Sequence, residues 1–327
     1  MGDVVLSLKD FRVSFKTILG EVQAVRGIDL EVRAGEIFGI VGESGSGKSV
    51  TFLGVMGLLP KSAVITGSAE IRGTELVGAS KATMRSVRGK RIAMIFQDPL
   101  SALNPTHRIG MQVVEMIQSH SEMTSKQAMT RAIELLDIVG IPQPAVRARQ
   151  YPHEFSGGMR QRVMIAMAIA NEPEVLIADE PTTALDVTVQ AQILEVMQRI
   201  QAQLGTAIVL ITHDLGVVAQ VTDRVQVMYA GRAAERGMVN HIFSAPSHPY
   251  TVGLMKSIPA LAGDRLTPIA GSPPNMLNPP PGCAFAPRCD YALPICTETI
   301  PDLRSFRELE TACIRAEELE LGVVVRG

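Results

Sequence analysis

Five apolar residues, Ile37-Phe38-Gly39-Ile40-Val41, run without a break into Gly42-Glu43-Ser44-Gly45-Ser46-Gly47-Lys48-Ser49, and an apolar segment beginning at Val50 follows. A short, wholly apolar run ending in glycines reads as a parallel strand buried on both faces. The octet that follows it fits G-x-x-x-x-G-K-[ST] at every position, between the strand and the helix that the motif requires. Its glycines let backbone N–H groups curl around an anion at a helix N-terminus, where the helix dipole favours negative charge. Lys48 then reaches the β- and γ-phosphates of a nucleotide, and the Ser49 hydroxyl ligates Mg²⁺. The candidate ATP-binding residues are therefore Gly42, Glu43, Ser44, Gly45, Ser46, Gly47, Lys48, Ser49 and Val50. The bland alternative is a chance glycine-rich loop, which has no use for the strand, the lysine and the hydroxyl together.

A second apolar strand, Val175-Leu176-Ile177-Ala178, ends in the carboxylates of Asp179 and Glu180. Asp179 is placed to hold Mg²⁺ through water, and Glu180 to polarise an attacking water as general base. Acidic strand ends are common, so this pair gains its weight from the phosphate loop upstream.

Strand and helix alternate along the chain. Val4–Ser14 and Val22–Val32 read as a hairpin, Ile92–Phe96 and Ala207–Thr212 as strands, and Val187–Leu204 as a helix. A helix over Thr124–Val139 carries a capping box (Thr124 with Gln127) and an apolar face of Ala132, Ile133, Leu135, Leu136 and Val139, and is stopped by Gly140 and Pro142. Hydrophobic residues make up 46% of the chain, enough for a substantial core. No apolar run approaches the roughly 18 residues that cross a bilayer. The start Met1-Gly2-Asp3 shows no basic segment and no apolar leader, which predicts a cytoplasmic chain. Thirty-one basic against thirty-three acidic residues leave a net charge of −2, so no nucleic-acid partner is expected.

Beyond about Met238 the composition shifts: more than half of the prolines, including Pro279-Pro280-Pro281, fall in residues 244–301. Such a stretch predicts either a disordered tail or a small module held by something other than hydrophobic burial. All four cysteines lie in the last forty-five residues, Cys283, Cys289, Cys296 and Cys313, spaced C-x5-C-x6-C-x16-C. Disulfides are disfavoured in a reducing compartment, and a zinc knuckle lacks its usual C-x2–4-C pair. Four thiolates in a proline-rich module suit a [4Fe–4S] cluster, with zinc and unliganded thiols as the alternatives.

Further motifs resemble the ABC ATPases. Phe155-Ser156-Gly157-Gly158-Met159 looks like the family signature loop, departing from its consensus at Phe155 and Met159. Gln97 after Ile95-Phe96 resembles the Q-loop, Ala184-Leu185-Asp186 the D-loop, and His213 in Ile211-Thr212-His213-Asp214 the switch histidine. Phe15 matches the aromatic that stacks on adenine. The bland readings are a plain Ser-Gly-Gly loop, an ordinary histidine and a core phenylalanine, and they do not explain the shared order and spacing. The resemblance implies an α/β P-loop NTPase fold with a RecA-like core, a β-subdomain and a helical subdomain over about 98–165. It implies a cassette over residues 1–240 and a C-terminal extension over 241–327. It also implies head-to-tail pairing, in which Ser156, Gly157, Gly158 and Met159 act on the partner's ATP. Gln97 would touch Mg²⁺ and the γ-phosphate, and the catalytic set would be Glu180, His213, Lys48 and Gln97.

Finer blocks resemble the importer ATPases for oligopeptides, dipeptides and nickel. These are Phe96-Gln97-Asp98-Pro99, Ser101-Ala102-Leu103-Asn104-Pro105, Tyr151-Pro152-His153-Glu154 and Ser247-His248-Pro249-Tyr250-Thr251. The resemblance implies ATP and Mg²⁺ as ligands and a [4Fe–4S] cluster at the four cysteines. It implies a related but different second ATPase subunit, two permease subunits and, indirectly, an extracytoplasmic solute-binding protein. The place of work would be the cytoplasmic side of the membrane. Di- or oligopeptides are the expected solute, with nickel, glutathione or another small solute as alternatives. A soluble ABC ATPase of DNA repair or translation fits less well, because the cassette is single and uninterrupted.

Overall fold

The structure, a computed structural model, describes residues 2–98, 102–183, 185–257 and 268–321. In chain order its first strands are β1 (Val4–Thr17), β2 (Gly20–Arg33), β3 (Ile37–Val41), β4 (Ala63–Ile71), β5 (Thr74–Glu75) and β6 (Ile92–Ile95). There follow β7 (Val175–Asp179), β8 (Ala207–Thr212), β9 (Arg224–Tyr229), β10 (Arg232–Met238), β11 (Arg304–Phe306) and β12 (Leu309–Thr311). The described residues fall into two compact units, drawn from 1–6, 32–36 and 78–210 in one, and from 7–31, 37–77 and 211–327 in the other.

The first unit is built on strands in the order β8-β7-β6. Residues of β7 and β8 are buried throughout, which is why both read as unbroken apolar runs. Helices Ile109–Gln118, Ser125–Ile138 and Gly157–Ala168 pack against one another in the same unit. The predicted capping box is present: Thr124 Oγ1 accepts from the Gln127 N–H at 3.4 Å, and Gln127 Oε1 accepts from the Thr124 N–H at 3.0 Å. Ala128, Ala132, Leu135 and Leu136 form the buried face of that helix. Among the described residues, no helix is long and apolar enough to cross a membrane.

In the second unit β2-β1-β4-β5 form one sheet, and β11-β12-β10-β9-β3 run in order through another. The strands of the hairpin are longer than their sequence pattern predicts. They meet at Ile18 and Leu19, two apolar residues that stand in solvent at the turn. β3 pairs in parallel with β9, and Val41 lies opposite Val227 at the mouth of the phosphate loop.

The proline-rich extension corrects an expectation. Where it is described it is neither a loose tail nor a module without a core. β12 pairs antiparallel with β10, setting Leu309 beside Gly237 and Thr311 beside Glu235. Tyr250, Met255, Phe285 and Leu309 are buried in one cluster with Val41, Val225 and Val227. Prolines prevent long helices, but they do not prevent single aromatic anchors from reaching a core that the preceding strands have already laid down.

Glu235 and His248 are ionisable groups buried beside that core. Glu235 is fully buried on β10 and accepts from the Ser247 N–H at 2.5 Å, yet burial outweighs the bond and pushes its carboxyl up to about 7. The buried His248 accepts at Nδ1 from the Tyr250 N–H at 3.1 Å, and burial pulls its imidazole down to about 4. A raised carboxyl pKa means that the folded state holds the proton more tightly. Stability from Glu235 is therefore full below about 4.5 and is lost as pH rises through about 7. The histidine acts in the opposite sense, being neutral in the fold and losing its contribution as pH falls through about 4. Thermal melts at pH 5 and pH 8 check this: Glu235→Gln should gain stability relative to the parent protein on going to the higher pH. A difference that is flat with pH contradicts the assignment.

Candidate functional site

The phosphate loop lies wholly within the second unit. Gly42 leaves β3 at φ 157°, and a Cβ there would stand 2.2 Å from the Met228 carbonyl oxygen of β9. Only glycine lets the loop turn that close to the neighbouring strand. The Gly231 N–H donates to Ser46 O at 3.0 Å, and Thr51 Oγ1 donates to Gly47 O at 2.8 Å. Helix Lys48–Val55 starts at Gly47 without a side-chain cap and with no acidic residue in its first turn. A helix start of that kind has backbone donors and a positive dipole end to offer an anion. Lys48 is buried, and its Nζ donates to Gly42 O at 2.7 Å and Glu43 O at 3.0 Å. Ser46 Oγ is buried with no hydrogen-bond partner among the described residues. A buried, orphaned hydroxyl beside an uncapped helix start fits a phosphate oxygen. Ser44 and Gly45 are exposed, Ser49 and Val50 half-buried. Phe15 is half-buried on β1, and His213 is exposed just after β8, next to Asp214, which caps helix Leu215–Val221.

The carboxylate site lies in the first unit. β6 and β7 pair in parallel with Ile95 beside Ala178, so Gln97 and Glu180, each two residues further on, emerge side by side. Gln97 Nε2 donates to Glu180 Oε2 at 2.9 Å, and Thr183 Oγ1 donates to the same oxygen at 2.9 Å. Sequence reasoning missed Thr183, whose only signal is its place three residues after the carboxylate. Glu180 has φ 47°, a left-handed backbone that non-glycine residues rarely take and that concentrates at functional sites. Asp179 is buried at the end of β7.

Ser156 caps helix Gly157–Ala168, its Oγ accepting from the Met159 N–H at 3.3 Å. Ser156 and Gly157 are exposed, while Phe155, at a departure from the family pattern, is buried as the anchor of the turn. A Cβ on Gly158 would stand 2.5 Å from Val189 Cγ1, so glycine is needed where helix Val187–Leu204 passes close by. Asp186 caps that helix, accepting from the Val189 N–H at 3.0 Å. Pro99, Ser101 and Ala184 lie outside the described residues.

All four thiols, Cys283, Cys289, Cys296 and Cys313, line one pocket together with Phe285 and Tyr291. Backbone N–H groups point at three of the sulfurs: Phe285 and Ala286 at Cys283, Tyr291 at Cys289, and Arg315 at Cys313. Burial raises the thiol pKa of Cys283 and Cys289. It pushes Cys313 up to about 11, with the charges of the other three adding to the shift. Cys283, Cys289 and Cys313 therefore resist becoming thiolates unless positive charge joins them. Among the described residues no three metal-ligating side chains stand close enough to grip a single ion.

The chain matches the ABC transporter family over residues 25–183 and the "Oligopeptide/dipeptide transporter, C-terminal region" family over 234–296. It is 54% identical to the oligopeptide transport ATP-binding protein OppD of Bacillus subtilis over 316 residues, covering 95% of this chain and 88% of that one. It is also 54% identical to the dipeptide transport ATP-binding protein DppD of the same organism over 301 residues, 91% and 90% of the two chains. In structure it resembles the dimeric ATP-binding cassette MJ0796 bound to ADP and Pi, with a TM-score of 0.64 and 26% identity over 72% of this chain and 98% of that one. Lys48→Ala should weaken nucleotide binding by at least tenfold, one charge-assisted contact being worth about that. Titration with a fluorescent ADP analogue checks it, and unchanged affinity contradicts it.

Proposed function

The chain belongs to the ABC transporter family of ATP-binding subunits, and from that premise we propose that it hydrolyses ATP to drive uptake of di- or oligopeptides through a membrane channel formed by other chains. The observation that carries the reading is the complete phosphate loop, with Lys48 held on its carbonyls and Ser46 Oγ buried without a hydrogen-bond partner among the described residues. The peptide substrate is supported by the C-terminal match and by the names of relatives that share about half of the sequence.

In this reading the loop amides and Lys48 bind the β- and γ-phosphates, Phe15 stacks on adenine, and Ser49, Asp179 and Gln97 hold Mg²⁺, which supplies charge neutralisation on the phosphates. Glu180 takes a proton from the attacking water. Gln97 and Thr183 fix the orientation of its carboxylate by donating to one oxygen, Oε2. His213 contacts the γ-phosphate. Ser156, Gly157, Gly158 and Met159 present a helix N-terminus to the nucleotide of a partner ATPase, and Asp186 belongs to the same face. The resemblance to a dimeric cassette supports such pairing.

Residues 1–240 form the cassette and 241–327 the extension in this scheme. Its four cysteines fit a [4Fe–4S] cluster, which would brace the extension when bound. The partners are a related second ATPase, two permease subunits on whose cytoplasmic face the chain sits, and indirectly a solute-binding protein outside the membrane.

Glu180→Gln should bind ATP with near-normal affinity and lose at least a hundredfold in turnover, as expected when a general base is removed. Turnover in the assembled transporter decides, and a near-normal rate overturns the role. The same variant, tagged and trapped with ATP in its native cell, should retrieve two permeases and a second ATPase in mild detergent. Retrieval of ribosomes or DNA instead would overturn the transport reading. Anaerobically purified protein should carry non-haem iron and a broad visible absorbance that both vanish in Cys289→Ser.

A further inference from the structure

One side chain reaches the phosphate loop from far along the chain. Arg288, in the short helix Ala286–Arg288 directly before Cys289, lies 245 positions beyond Glu43. Its Nη1 donates to Glu43 Oε2 at 2.6 Å and its Nη2 to Glu43 Oε1 at 3.0 Å, a bidentate fork. Nη1 also donates to Tyr229 Oη at 3.2 Å, and Nε donates to Ala270 O at 2.8 Å. The guanidinium lies over the rings of Tyr229 and Phe285, and the Arg288 side chain is only 5% exposed.

Glu43 is thereby gripped at three groups. Its N–H donates to Tyr250 Oη at 2.9 Å, its carbonyl accepts from Lys48 Nζ at 3.0 Å, and its carboxylate is held by Arg288. Lys48 is the ammonium that an incoming phosphate recruits, so the backbone it rests on is part of the binding equilibrium. A carboxylate in the second position of an anion-binding loop works against the ligand by like-charge repulsion. Arg288 cancels that charge and ties the carboxylate to an aromatic wall.

We propose that Arg288 is a positioning residue of the phosphate loop, and that through it the cysteine module sets the affinity of the loop for nucleotide. The proposal rests on reading Gly42–Ser49 as the nucleotide-phosphate loop, and it adds to that reading a control point at the opposite end of the chain. Loss of order around Cys289 would release Glu43 and leave its charge facing the phosphates.

The test is a titration of the purified full-length chain with fluorescent mant-ADP and Mg²⁺. Arg288→Met should weaken binding about tenfold, in line with the loss of one charge-assisted contact. Adding Glu43→Gln to Arg288→Met should restore affinity to within about threefold of the parent, because the uncompensated carboxylate is gone. The deficit of Arg288→Met should also shrink at about 1 M salt, where the Debye length is about 3 Å. Arg288→Lys, which keeps the charge and loses the fork, should fall between parent and Arg288→Met. Arg288→Met binding as tightly as the parent overturns the proposal. So does a weakened Arg288→Met that neither Glu43→Gln nor salt restores, since a purely structural arginine behaves that way. A parent chain that binds no mant-ADP overturns the nucleotide reading and this proposal with it, whereas a binding parent with an indifferent Arg288→Met overturns the proposal alone.

Discussion

The start of helix Lys48–Val55 is the constraint on which the second unit depends. A helix that begins with neither a side-chain cap nor an acidic first turn leaves its positive end to be answered from outside. The loop before it must hold a buried lysine on its own carbonyls, and such a loop does not stand by itself. It is pinned by bonds from Gly231 and Thr51, by the close pass of Gly42 over Met228, and by Tyr250 and Arg288 on Glu43. Those anchors come from the helix itself, from β9, from the turn after it, and from the extension. An anion site of this kind recruits its scaffold from most of the chain that encodes it.

The same economy appears around Glu180. Parallel pairing of β6 with β7 brings two strand ends together, and the residues just beyond them meet without any designed contact between the loops. Glu180 then pays in backbone strain for its position, with φ at 47°, and two donors on one oxygen limit how its carboxylate can turn. Strain and fixed orientation are what a base needs if it must meet a water at one angle.

Prolines between the last strands gave the extension the look of a detached piece. Its described part is instead continuous with the second unit, through β12 on β10 and through the aromatic contacts of Phe285 with Tyr229 and Tyr250, at 5.3 Å each between ring centres. The thiol pocket and the phosphate loop thus share a wall. Phe285 lines the first, and its neighbour Arg288 holds the second. Cys289 follows Arg288 directly in the chain, so a change that reorganises the thiols acts one position from a loop contact.

Much of this was legible in the chain itself. The apolar runs of β3, β7 and β8, the loop Gly42–Ser49, the pair Asp179–Glu180 and the capping box at Thr124 are all local. Each rests on neighbours within about one helical turn or one strand, and such neighbours are visible as spacing. The burial of Phe285 and Leu309 was not legible, because proline content speaks to helix formation and says nothing about a distant sheet edge waiting for a partner. Nor was the raised carboxyl of Glu235, since desolvation depends on what covers a side chain from every direction. Sequence alone therefore determined that this chain makes a phosphate-binding loop and an acidic strand end on an α/β frame. Only the tertiary structure decided that Gln97 and Thr183 share one oxygen of Glu180, and that Arg288 closes on Glu43. Side-chain bonds between residues 83 or 245 positions apart leave no trace in local spacing, because it is chain folding that sets their distance.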